Sequence, residues 1–154
     1  MRTAILIVLL ALAAPVSGRD FDYSSYKTVS LADAAAALAV DPRANYWLDA
    51  AHPRYHALAT FTGKTRKLAP GVKGFIVMWV KAMQHPAEYV DFFKMEVQIR
   101  QGTTDYWMPI QDVLVKPFED QVRPGDQVDL YLLLMGAYEH APVFAISGFN
   151  TVGV

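Results

Sequence analysis

The sequence contains no cysteine. That single absence excludes a disulfide framework, a thiolate metal site, a cysteine nucleophile and a lipid anchor on a processed N-terminal cysteine. No Asn-x-Ser/Thr acceptor for N-glycosylation occurs either. Charge of one sign is not in excess, since 14 basic residues face 15 acidic ones for a net −1. A near-neutral chain has no global field to hold nucleic acid or an anionic membrane. Long apolar runs are also scarce. After the N-terminal one no stretch approaches the ~20 residues a membrane helix needs; Phe75 to Val80 is only six residues.

What is present begins at the N-terminus. Arg2 supplies a short positive start, Ala4 to Ala14 is an unbroken apolar run, and Pro15 breaks any helix. Val16-Ser17-Gly18 then offers small residues where a signal peptidase reads. This order predicts a cleavable signal peptide over residues 1–18, in preference to a buried N-terminal helix, with the mature chain starting at Arg19. The remaining 136 residues, 19–154, are expected to form a single domain with a net charge of −2. A hydrophobic content of 53% against 19% charged argues for a folded core over disorder. An exported chain with neither cysteine nor glycosylation acceptor fits a bacterial periplasmic or secreted location.

In the mature segment, Ser30-Leu31-Ala32-Asp33 has the form of a helix start. Ser30 can cap it, and Asp33 meets free backbone N–H groups. The alanine-rich stretch that follows predicts a short helix over about residues 30–40, packing as a lid or plug and stopped by Asp41-Pro42. Tyr46, Trp47 and Leu48 are expected to be buried. From Tyr55 onward the periodicity is that of strands. Tyr55, Ala57, Ala59 and Phe61 can share one face; Phe75 to Val80 reads as a strand covered on both faces; Phe93, Met95, Val97 and Ile99 alternate with charged and polar residues. A turn at Gln101–Thr104 leads into a strand over Tyr106 to Gln111, which Pro109 assigns to a sheet edge. A short helical turn near Pro117 to Val122, a turn at Arg123-Pro124-Gly125-Asp126, and strands over Val128 to Leu134 and Val143 to Phe149 complete the list.

One helix, about six strands and a helical insertion before the last two predict a mainly β fold, a small closed or partly open barrel preceded by the short helix. The order resembles an OB-type barrel; a two-sheet sandwich is the alternative. The expected core includes Phe61, Val77, Val97, Ile99, Leu130, Leu132 and Ile146. No residue motif names a family.

Chemistry-bearing motifs are few. Gly63-Lys64-Thr65 has the tail of a phosphate loop, but Leu58 stands where that motif demands glycine. His52 and His56 are four apart, but Pro53 follows His52 and the run beyond is strand-like, which puts two such residues ~13 Å apart. No metal and no cofactor are therefore expected. Ser147 lacks an evident base, and the carboxylates are scattered, Asp126 and Asp129 about one turn and Glu119-Asp120 at a corner. Lys64, Arg66, Lys67 and, beyond Pro70-Gly71, Lys73 form a basic loop between the first two strands, either a ligand loop or a solvated hairpin guarding an edge. Trp107 is the residue singled out: with Tyr106, Met108 and Ile110 facing inward, it faces outward as a candidate interface anchor. The expected function is a non-catalytic, exported binding module of the bacterial cell envelope meeting another envelope or exported protein through Trp107. The alternatives are a small-molecule or polysaccharide binder using the barrel mouth and the Lys64–Lys73 loop, and a hydrolase with a dispersed carboxylate and histidine site.

Overall fold

A computed structural model describes residues 23–38 and 44–153. The expected signal segment 1–18 and the expected helix stop at Asp41-Pro42 lie outside the described residues. After a 3-10 turn at Tyr23–Ser25 come β1 (Lys27–Thr28), α1 (Leu31–Ala36), β2 (Tyr46–Leu48), β3 (Arg54–Lys67) and α2 (Pro70–Ala82). A 3-10 segment at Ala87–Phe92 then leads to β4 (Phe93–Gln101), β5 (Thr104–Gln111), α3 (Asp112–Gln121), β6 (Gln127–Tyr138) and β7 (Ala141–Thr151). The fold is mixed α/β and mostly strand, with one seven-stranded sheet in the order β1-β3-β4-β5-β7-β6-β2. A further pairing of β3 with β6 turns the sheet back on itself as a partial ring.

The long strand β3 makes that return. Arg54 to Thr60 pair with β6, and Thr60 to Lys67 pair with β4. The register shifts between Phe61 and Thr65, around Gly63 at φ 94°. A side chain there would strike Pro124, whose ring closes in to 2.8 Å of the would-be Cβ. A bulge with a glycine in positive φ bends one strand without ending it.

Strand alternation fills the ring as expected. Phe61, Val97, Ile99, Met108, Leu130, Leu132, Phe144 and Ile146 are buried in one cluster. α1 is capped as the sequence implies, the Ser30 hydroxyl accepting from the Asp33 N–H at 3.1 Å. Leu31 and Ala34 pack into the same cluster, and the Leu31 N–H donates to Gln101 Oε1 at 2.7 Å. α3 begins at the far end of β5 and contributes Leu114 and Phe118. It is a ten-residue helix with Pro117 inside, not the short turn expected from Pro117 onward.

Phe75 to Val80 is not a strand but the middle of α2. Pro70 occupies the first helical turn, where its missing N–H has no partner to lose. Val72, Phe75, Ile76, Trp79, Val80 and Met83 then recur at helical spacing. They pack on the outer face of β6 and β7, against Leu133, Met135, Val143 and Ala145. Val77 falls between them and is 45% exposed, so it leaves the expected core. β6 and β7 are thus covered on both faces, the ring interior on one and α2 on the other.

Two further expectations change. Tyr46 and Trp47 are not buried; they are 48% and 40% exposed on β2, which among the described residues pairs with β6 alone. That crossing is close enough to require a residue without Cβ at Gly136 (φ 142°), where one would collide with the Trp47 carbonyl. β5 is also not an edge strand, for it lies between β4 and β7. Its only pairing to β7 is Ile110 with Ile146, so the ladder on that side starts just past Pro109, the residue with no N–H to give.

Candidate functional site

The β4–β5 hairpin places the candidate residues. Gly102 at φ 62° turns the chain, and Gln98 pairs with Trp107 while Glu96 pairs with Pro109. Met108 and Ile110 are fully buried in the ring, so Trp107 points to the outer face, where it is half-buried. β3 completes this face by pairing Arg66 with Glu96. The Arg66 guanidinium carbon stands 4.1 Å from the centre of the Trp107 ring. Its Nε donates to Glu96 Oε2 at 2.9 Å, and the Ala69 backbone N–H donates to the same oxygen at 3.1 Å. Glu96 is only 1% exposed. A carboxylate so buried is tolerable because a cation and an N–H both reach it.

Around this centre, Thr62 Oγ1 donates to Gln98 Oε1 at 2.8 Å. Arg100 forks onto Asp105 at 2.6 and 3.0 Å. The hydrogen bonds from Arg100 hold the Asp105 carboxyl below the usual carboxylate value, and Asp105 in turn raises Arg100. Both groups lie at the surface, where such a pair adds little to stability.

The expected basic loop is not a loop. Lys64, Arg66 and Lys67 continue β3 beyond the bulge, and Lys73 is in α2. The register pairs Lys67 with Met95, on the opposite side of the ladder from Arg66. Lys67 and Lys73 therefore do not converge with Arg66. A recess between α3 and the ring is lined by Phe61, Met95, Val97, Val115 and Phe118, with Thr65 and Glu119 as its polar residues, and is mainly apolar.

Three of the four histidines fall in two places. His56 Nε2 lies 3.2 Å from Asp129 Oδ1, its Nδ1 lies 3.3 Å from Thr28 Oγ1, and its ring stacks on Tyr131 at 4.9 Å. Beside it, the Tyr26 hydroxyl meets Ser147 Oγ at 3.1 Å, and Ser147 donates to the Tyr131 carbonyl at 3.1 Å. Burial pushes the Tyr26 hydroxyl pKa up, offset in part by the Ser147 hydrogen bond and by Arg54. Ser147 is buried and engaged by these partners, an arrangement unsuited to a nucleophile. Nothing local marks this grouping, because His56 and Asp129 are 73 residues apart and meet only through the β3–β6 register. Among the described residues no three His, Asp or Glu side chains are placed to hold a metal ion.

His52 and His85 flank Trp79 at ring separations of 6.2 and 5.2 Å, and His85 stacks on Tyr89 at 5.1 Å. Burial, and then the charge of His52, lower the His85 pKa from its ordinary 6.5. Between the lowered folded value and the unfolded one, the unfolded chain binds more protons, so stability falls as pH falls through that window. His85→Gln is expected to flatten the decline in urea midpoint between pH 7.5 and the acid end of the window. An unchanged slope in the variant contradicts that assignment.

No helix among the described residues is long and apolar enough to cross a membrane. The sequence matches no protein-family model and no curated protein.

Proposed function

We propose that this protein is an exported, non-catalytic binding module of the bacterial cell envelope that meets a protein partner through the outer face around Trp107. In this reading the partial ring is an OB-like barrel. The order β3-β4-β5-β7-β6, returning to β3, with α3 between β5 and β6 in the chain, supports it. In such barrels the second and third strands carry a common ligand face; here those are β4 and β5. The observation that carries the proposal is Trp107 itself: a large ring left half-open on that face and steadied by Arg66. The small-molecule or polysaccharide alternative relied on a basic loop whose Lys67 and Lys73 do not converge with Arg66. The hydrolase alternative relied on dispersed polar groups that, where they meet, bond to one another.

Buried aromatic anchors carry about 2 kcal/mol or more of an interface, on the order of thirtyfold in affinity. Trp107→Ala is therefore expected to weaken capture of the partner from envelope extract by about that factor, with little change in melting temperature. Undiminished capture, or a variant that fails to fold, contradicts the proposal.

A further inference from the structure

We propose that Arg66 is a carboxylate-recognition subsite within the Trp107 face, and that the partner meets it with an acidic side chain on a peptide segment. The inference rests on that face being the binding surface. Arg66 is fixed at two points, its Nε on Glu96 and its guanidinium plane over Trp107. Glu96 is itself held by the Ala69 N–H, so the anchor is tied to the backbone. Both terminal nitrogens of Arg66 remain without a partner among the described residues, and the side chain is 41% exposed. A guanidinium fork matches the two coplanar oxygens of a carboxylate, and a fork already immobilised loses less rotamer freedom on binding.

Neighbouring cations are committed elsewhere: Arg100 to Asp105 and Lys94 to Asp112. Lys64 lies close enough for its charge to act on Asp105 and adds positive potential to the same face. The indole face toward Arg66 is already covered at 4.1 Å. A sugar ring or a base seeking that face must first displace the guanidinium. A peptide carboxylate need displace nothing, and this favours it over a polysaccharide.

The test is a titration of the 15N-labelled mature protein, following the Arg66 Nε–Hε and Trp107 Nε1–Hε1 resonances. The probes are hexaglutamate, hexaglutamine, an oligogalacturonate and inorganic phosphate at constant ionic strength. Hexaglutamate is expected to shift both resonances to saturation while leaving Arg100 Nε in place, and hexaglutamine to shift neither. Arg66→Lys, which keeps a cation beside Glu96 but loses the fork, is expected to bind hexaglutamate about fivefold more weakly or worse. Equal binding by Arg66→Lys, movement of Arg100 in place of Arg66, or tighter saturation by oligogalacturonate or phosphate overturns the proposal. The Arg66-against-Arg100 comparison needs only the unsubstituted protein, so it decides even if the variant does not fold. The titration involves no natural partner. A positive titration with undiminished capture by Trp107→Ala defeats the face reading and keeps the subsite; a negative titration with lost capture does the reverse.

Discussion

Replacing Trp79 with alanine is expected to cost about 3–5 kcal/mol of stability, among the largest effects in the molecule. The ring is 1% exposed and lies between α2 and the outer face of β6 and β7, among Phe75, Ile76 and Val80. Its removal opens a void that rigid strands on one side and a helix on the other cannot collapse to fill. Trp79→Phe is expected to cost less, because phenylalanine keeps an aromatic ring there and also removes a buried indole N–H that has no acceptor among the described residues. Val77→Ala, on the exposed side of the same helix, should change stability by no more than about 0.5 kcal/mol. Urea denaturation of the three variants checks the set. If Val77→Ala proves as costly as Trp79→Ala, residues 70–82 do not pack as this helix.

Leu132→Ala should cost about 2–5 kcal/mol for a different reason. Leu132 is fully buried in the ring interior, whereas Leu133 beside it faces α2. Trp79→Ala and Leu132→Ala therefore damage separate cores. Their effects should add within about 0.5 kcal/mol if the sheet between them transmits little strain, and a larger coupling would reveal a shared relaxation. A Leu132→Ala variant as stable as the parent would remove that residue from the ring.

How much of this was legible beforehand depended on the range of the interactions. Strands whose residues alternate cleanly were readable, as in Val97 and Ile99 on β4, and so was the Arg123–Asp126 turn, which the structure closes with an Asp126 N–H to Arg123 carbonyl bond at 3.0 Å. The outward direction of Trp107 also followed from alternation alone. α2 does not announce itself, because six consecutive apolar residues satisfy strand and helix equally. The helical recurrence appears only when Val72 and Met83 are counted with them. Tyr46 and Trp47 look like core by composition, yet they lie on a three-residue strand that among the described residues has a partner on one side only. The Arg66–Glu96–Trp107 centre was hidden more deeply. Arg66 reaches Glu96 only because a bulge at Gly63 resets the β3–β4 register, and nothing local specifies the size of that shift.

The central claim, that the Trp107 face is where this protein meets its partner, is most directly tested by site-specific photocrosslinking in the full chain. A benzoylphenylalanine is placed at Lys64, beside that face, or at Val77 on α2. A discrete crosslinked adduct from position 64 that disappears with Trp107→Ala, and none from position 77, is the predicted result. An adduct from position 77 with none from position 64 would contradict it.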